Sequence, residues 1–208
     1  MPVRITREPV LSTKTNLKGV PPAGTDVNPQ GVSEQEAMHH EIGHLIMADE
    51  AGLNPIQIRS RLHPKNQATG SFMDAHIDWS SMGGTEKGIP TAELTEDKVQ
   101  KALPVFLGGP ILQELMGGIK LRDNTEAADD LIRADDWLRA IGKVGESADT
   151  MFKVAMNHAR SRLDHGPTHD VVRKYADPDA SNDPQLQMTP ETTARMMNEI
   201  RNARKDFK

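Results

Sequence analysis

The stretch of sequence that decides the fold is SEQEAMHHEIGHLIMADEAGLNP, residues 33–55. Ser33 and Glu36 form the Ser-x-x-Glu pattern that caps the start of a helix, and an apolar run follows them. Gly52 stands where a helix commonly ends, and Pro55 prevents the helix from continuing. The stretch therefore predicts a single helix of about five turns.

Inside this helix, residues 40–44 read His-Glu-Ile-Gly-His, which fits the pattern His-Glu-x-x-His. A helix presents the imidazoles of His40 and His44 from one face, about one turn apart, so both can bind one zinc ion. In this pattern Glu41 lies beside the metal without binding it, where it can take a proton from water. A bound zinc ion makes such a water acidic and polarises a carbonyl group. The pattern therefore predicts a zinc-dependent hydrolase.

The alternative interpretation of these residues is a histidine-rich amphipathic helix whose His pair faces solvent. The apolar, capped setting favours the metal site, and Gly43 leaves one side of it unobstructed. His39 points about 100° away from its neighbour, which predicts a surface residue or one that supports the ligands. The remaining histidines are scattered, and we expect structural or surface roles for His63, His76, His158, His165 and His169.

The composition narrows the class of protein. A chain of 208 residues fits one compact domain, and its formal net charge of -5 gives no general attraction to nucleic acid or to an anionic membrane. The absence of cysteine excludes disulfides and cysteine-ligated metal sites. No segment approaches the roughly 20 apolar residues of a spanning helix, and residues 1–10 lack the apolar core of a signal peptide. We expect a cytoplasmic protein that binds neither nucleic acid nor membrane.

Beyond the first helix, the pattern predicts a mainly α fold with a small β-sheet (α+β). Alternating apolar residues indicate two short strands, and a Gly- and Ser-rich loop follows them. Pro104 and Pro110 each remove a hydrogen-bond donor from the next helix, which makes it the weak point among the predicted helices and open to a kink. Trp79 and Trp137 are expected in the core or in a pocket wall. The predicted strands cover about 56–62 and 72–77, the loop covers 80–94, and the predicted helices cover about 95–116, 123–140, 146–164 and 169–176, with a last one from 189.

A catalytic zinc site needs a third protein ligand and an open fourth position. The richest source of carboxylates is an acidic cluster, most of which must be a solvated helix face stabilised by the helix dipole. Spacing alone does not separate Asp130 from Asp129 as the third ligand, and Glu126 is a further alternative. The cluster consists of Glu126, Asp129, Asp130, Asp135 and Asp136.

Four blocks, in order, resemble the peptidase domain of the FtsH-type AAA+ zinc metalloproteases. Residues 40–44 resemble its His-Glu-Ala-Gly-His, and residues 64–70, Pro-Lys-Asn-Gln-Ala-Thr-Gly, resemble its Pro-Arg-Gly-x-Ala-x-Gly. Leu-Gly-Gly at 107–109, with Glu-Leu at 114–115, resembles Leu-Gly-Gly-Arg-Ala-Ala-Glu-Glu. Ala-Ala-Asp-Asp-Leu at 127–131 resembles Ala-Ser-Asn-Asp-Leu. The blocks span roughly residues 33–140.

The resemblance implies a third zinc ligand, because Asp130 matches the Asp that precedes Leu in the family pattern. It also implies an edge strand beside the zinc that receives a peptide through backbone hydrogen bonds. Thr69, Gly70 and Ser71 occupy that position here, and Gly70 would allow close approach. The implied activity is a zinc metalloendopeptidase with a zincin-like active-site helix, acting on flexible or unfolded polypeptide. The family's peptidase domains assemble as rings, so a homo-oligomer is also implied as one alternative.

The sequence departs from the family where Pro110 replaces Arg and Gln113 replaces the first Glu, and the loop from that helix to Asp130 is a few residues longer than in the family. No Gly-x-x-x-x-Gly-Lys-[Ser/Thr] phosphate loop occurs, so the expected activity is independent of ATP. The expected organisation is a flexible arm at 1–32, the metallopeptidase domain at 33–176, and a linker with an amphipathic helix at 177–208.

Two other functions remain as alternatives. The first is a non-catalytic, zinc-containing binding or regulatory module that retains the peptidase fold; the presence of Glu41 argues against it. The second is a helical interaction protein with an accidental motif, which the order of the four blocks disfavours.

Overall fold

The computed structural model describes residues 34–62, 71–85, 88–91, 94–118, 120–121, 127–176 and 189–205. The fold is mainly helical with a two-stranded sheet, which confirms the predicted mainly α character. In chain order the elements are α1 (Glu34–Glu50), β1 (Pro55–Leu62), β2 (Ser71–Ile77), α2 (Glu96–Leu115), α3 (Ala128–Ala140), α4 (Glu146–Leu163), α5 (Gly166–Ala176) and α6 (Pro190–Ala203). A 3-10 turn, Ser80–Met82, lies at the start of the predicted loop. The predicted arm at 1–32 and the linker at 177–188 lie outside the described residues, as does the capping residue Ser33.

The centre of the fold is the crossing of α1 and α2. Their backbones approach so closely at Gly43 and Gly108 that a Cβ on either glycine would collide with backbone atoms of the other. Ile42, Leu45 and Ile46 are fully buried on α1. Because glycine alone permits this approach, the crossing fixes which face of α1 meets α2.

Helix α2 is continuous through both of its prolines. Thr95 caps its start by accepting a hydrogen bond from the Lys98 N–H at 3.4 Å. Pro104 and Pro110 are both buried, in a helix buried from Ala102 to Gln113. Burial of the apolar side chains around α2 outweighs the two missing helical hydrogen bonds. The predicted weak point is therefore part of one continuous buried helix.

Strands β1 and β2 form an antiparallel pair. Ile58 faces Ala75 and Leu62 faces Ser71, with an irregularity between Pro55 and Gln57. Strand β2 runs along α1, so the sheet covers the helix that carries the His-Glu-x-x-His motif.

A buried aromatic cluster supports the segment between β2 and α2. Trp79 stacks on Phe106 with ring centroids 4.6 Å apart, and Trp137 packs against both rings. The Trp137 indole N–H donates to the Gly88 carbonyl at 2.8 Å. Both tryptophans are therefore core residues, one of the two roles that the sequence predicts.

The boundaries of two C-terminal helices differ from the prediction. Helix α3 begins at Ala128, whereas residues 123–126, where the sequence predicts its first turn, lie outside the described residues. Helix α5 begins at Gly166, three residues before the predicted start at 169. Pro167 lies in the first turn of α5, where the backbone N–H has no helical partner and its absence removes no hydrogen bond. The Gly-Pro step therefore follows the end of α4 and also begins α5.

Helix α6 packs on α5 and β1 and joins the core through Met196, Met197 and Ile200. Its C-terminal end carries charges that reach the end of α1. Arg204 lies 2.7 Å from Glu50, which also accepts from Arg162 of α4. The last helix is therefore packed against the domain.

Among the described residues, no helix combines the length and apolarity that a bilayer span requires.

Candidate metal centre

Helices α1 and α3 bring three metal-binding side chains together. His40 and His44 project from α1, and Asp130 projects from the first turn of α3. The Asp130 Oδ2 atom lies 2.9 Å from His40 Nε2 and 3.2 Å from His44 Nε2, and the two Nε2 atoms are 3.0 Å apart. All three residues are buried, and together they form a group that could hold a metal ion.

The size of this triangle fits one small cation. Ligand atoms at about 2.0–2.1 Å from a tetrahedral ion are separated from one another by about 3.3–3.4 Å. The observed separations of 2.9, 3.0 and 3.2 Å are slightly shorter, so a small outward adjustment would accommodate the ion. Three protein ligands would leave a fourth tetrahedral position for water or substrate.

The other nitrogen of each imidazole is held by α2. His44 Nδ1 lies 2.7 Å from the carbonyl oxygen of Val105, and His40 Nδ1 lies 3.2 Å from Gln113 Oε1. A carbonyl oxygen only accepts, so each Nδ1 carries the proton and each Nε2 presents a lone pair. Two lone pairs and a carboxylate then face one point, an arrangement that only a cation or a proton stabilises.

The electrostatics of the group show the competition between proton and metal. Burial by itself would raise the pKa of Asp130, but the imidazoles of His44 and His40 hold that pKa well below its usual range. Burial would likewise lower the pKa of both histidines, but the Asp130 carboxylate outweighs it and raises the pKa of each. A proton and a metal cation therefore compete for the same three side chains.

Gly109 makes room for the two imidazoles. A Cβ at this position would lie 2.8 Å from His40 Nε2 and would collide with His44 Nε2. The Cα of Gly109 thus closes one side of the ligand triangle, and any larger residue would enter the space a metal ion needs.

Glu41 is anchored to the neighbouring strand. Its carboxylate is half-buried, and Oε2 accepts a hydrogen bond from the Ala75 N–H at 2.6 Å. That amide therefore points to the edge of β2 that faces away from β1. Alternation along a strand places the N–H and C=O groups of Met73 and Ser71 on the same edge. In the described part of the chain, no other strand pairs with this edge.

The structure separates the candidates for the third ligand. Asp129 is exposed and lies outside the group, Asp135 is buried in an ion pair with Arg139 at 2.7 Å, and Glu126 lies outside the described residues. Of the predicted peptide-binding residues, Ser71 begins β2, whereas Thr69 and Gly70 lie outside the described residues.

His39 differs from the prediction of a surface residue or one that supports the ligands. It is only 5% exposed, and neither ring nitrogen has a hydrogen-bond partner among the described residues. Burial lowers its pKa, so the ring is a neutral part of the packing.

The scattered histidines have structural or surface positions. His158 is exposed, His165 is hydrogen-bonded to the Thr168 hydroxyl, and His169 is hydrogen-bonded to the Leu163 carbonyl.

Sequence reasoning did not find the supporting residues of α2. Val105, Gly109 and Gln113 are spaced four residues apart, so they form one stripe along the helix. That spacing is a usable signal once the pairing of α1 with α2 is known. Gln113 was visible in the sequence only as a departure from the family pattern.

A mainly apolar cavity of about 470 Å³ lies elsewhere, between α1, α2 and α4. Its lining includes Met47, Leu103 and Met151 and none of the three ligands. The cavity is therefore separate from the candidate metal centre.

Comparison with protein-family models, with curated proteins and with solved structures found no match.

Proposed function

We propose that this protein is a zinc-dependent metallopeptidase, an ATP-independent, FtsH-type peptidase domain that hydrolyses flexible or unfolded polypeptide. The observation that carries the proposal is the buried convergence of His40, His44 and Asp130, with Glu41 next to the first ligand. Two imidazoles and one carboxylate are a ligand set typical of catalytic zinc, with an open position for water.

The chain's own residues supply the remaining parts of a hydrolytic site. A bound zinc ion would supply a Lewis acid and an acidified water. Glu41 would accept a proton from the attacking water and deliver it to the leaving amine. Its hydrogen bond to Ala75 holds the carboxylate between α1 and β2.

The free outer edge of β2 in the described structure is an argument for a polypeptide as the substrate. An extended peptide laid along this edge would bond to the backbone groups of Ser71 and Met73. Backbone hydrogen bonds require an extended peptide but discriminate little between side chains. This favours loops, tails and unfolded chains as substrates. The scissile bond would then lie along the strand that also contacts Glu41, so binding and chemistry meet at one edge.

The proposal is tested by metal content and by cleavage of an unfolded protein such as reduced casein. The purified protein should bind one zinc ion and cleave this substrate without ATP. The variant Glu41→Gln should retain zinc and lose about 10²–10⁴-fold of the cleavage rate. Glu146→Gln removes an exposed carboxylate from α4 and should cleave like the wild type. Zinc-loaded protein that cleaves neither casein nor a peptide library would contradict the proposal.

A second candidate function is a non-catalytic zinc module with a peptide-binding edge. The observation that favours it is the hydrogen bond between Glu41 and the Ala75 N–H, which gives Glu41 a structural role. Glu41→Gln separates the two functions, because the glutamine oxygen can still accept this bond. Peptide binding that survives the substitution unchanged, with no cleavage by either protein, would favour the module.

A further inference from the structure

The supporting contact of His40 differs in kind from that of His44. His44 Nδ1 bonds to the backbone carbonyl of Val105, which can only accept a hydrogen bond. His40 Nδ1 instead contacts the side-chain amide of Gln113, which has an accepting end and a donating end. The backbone therefore fixes the tautomer of His44, while the orientation of one side chain fixes that of His40.

The amide of Gln113 is enclosed. The residue is fully buried in the last turn of α2. The backbone folds over it, because the Gly118 N–H donates to the Gln113 carbonyl at 2.9 Å and a Cβ on Gly118 would lie 2.9 Å from Gln113 Cγ. With Oε1 towards the ring, His40 keeps its proton on Nδ1 and its lone pair on Nε2, facing Asp130.

The charge of the group depends on what stands at position 113. Two neutral imidazoles and the Asp130 carboxylate around a divalent cation leave one net positive charge. A carboxylate at 113 would cancel that charge within a buried region, where charge interactions are strong. A neutral amide preserves the tautomer and leaves the cation less fully neutralised.

We propose that Gln113 is a positioning residue that fixes the metal-binding tautomer of His40, and that its neutral amide keeps metal affinity below that which a carboxylate would give. The inference rests on zinc binding at the proposed site and is independent of whether the protein cleaves peptides. Gln113 acts through His40 and touches neither the metal nor the substrate.

The test is a competition titration with a chromophoric zinc chelator, using the full chain. Gln113→Leu removes the acceptor and should weaken zinc binding by about 10–100-fold. Gln113→Glu keeps an acceptor and adds charge, and should tighten binding by about tenfold. Gln100 lies exposed on the same helix, so Gln100→Leu and Gln100→Glu are matched controls that should leave the affinity unchanged.

Circular dichroism and urea unfolding of the metal-free proteins separate folding from metal binding. Folded Gln113→Leu with wild-type affinity would overturn the inference, as would Gln113→Glu with equal or weaker affinity than the wild type. If Gln113→Leu does not fold, Gln113→Glu still decides whether the neutral amide keeps the affinity low, and weaker or equal binding overturns the inference. A wild-type protein that binds no zinc would instead overturn the proposed metal centre, before any variant is compared.

Discussion

The imidazole of His44 and the backbone of Val105 are joined by a hydrogen bond of 2.7 Å that crosses from α1 to α2. This contact ties a candidate metal ligand to the most deeply buried helix of the fold. The ligand geometry is therefore set by the packing of two helices rather than by a loop. Changes at the helix crossing should consequently alter metal binding in ways that the motif alone does not predict.

Gly109→Ala should abolish tight metal binding while leaving most of the fold intact. The added methyl group would collide with His44 Nε2 and lie 2.8 Å from His40 Nε2, in the space of the ion. We expect zinc affinity to fall by at least about 100-fold, the upper end of the range for lost supporting contacts. Isothermal titration with zinc measures this. Gly166→Ala meets no atom within 4 Å and serves as control. Unchanged affinity in Gly109→Ala would show that the ion does not lie against this helix.

Gly43→Ala should destabilise the fold itself, because its methyl group would collide with backbone atoms of Gly108 and Gly109 rather than with movable side chains. Overpacking of this kind costs about 1–3 kcal/mol or more. Urea unfolding of the metal-free protein should show a lower midpoint than that of the wild type. A variant as stable as the wild type would mean that α1 and α2 can move apart without lowering the free energy of unfolding.

Asp130→Asn and Asp129→Asn form a matched pair for the third ligand. The two carboxylates are adjacent in sequence, but only Asp130 is buried beside the imidazoles. Asp130→Asn should lose zinc binding by several orders of magnitude, whereas Asp129→Asn should bind zinc like the wild type. Zinc content after dialysis against a weak chelator distinguishes them. The reverse result would place the third ligand at Asp129.

Zinc should stabilise the protein more as the pH rises from 5.5 to 7.5. The raised pKa of His40 and His44 stabilises the metal-free protein at pH values below about 6.5, the pKa of histidine in the unfolded chain. This stability is lost as the pH rises through the pKa values of the two histidines in the folded protein. The lowered pKa of Asp130 contributes stability above about 3.9, which is lost as the pH falls. Metal binding needs both imidazoles unprotonated, so protons compete with zinc at the acidic end.

Thermal unfolding with and without zinc at the two pH values measures this effect. The increase in unfolding temperature on adding zinc should be larger at pH 7.5. An equal or larger increase at pH 5.5 would indicate that the zinc which stabilises the fold is bound elsewhere.

The sequence by itself determined the local elements. Residue order predicts the capped motif helix with its two imidazoles and the two short strands, because short-range periodicity and capping act within a few residues. The same reasoning misplaced the start of α5, where Gly-Pro both follows one helix and opens another. It also identified the helix with Pro104 and Pro110 as the weak point, whereas α2 runs without interruption through both buried prolines.

Only the tertiary structure decided which side chains meet. Asp129 and Asp130 are equivalent by spacing, and the docking of α3 on α2 turns one towards the imidazoles and the other to solvent. The roles of Gly109 and Gln113 depend on how closely α1 and α2 approach. Such contacts join residues far apart in the chain, so they are fixed by the packing of whole helices and not by any local pattern.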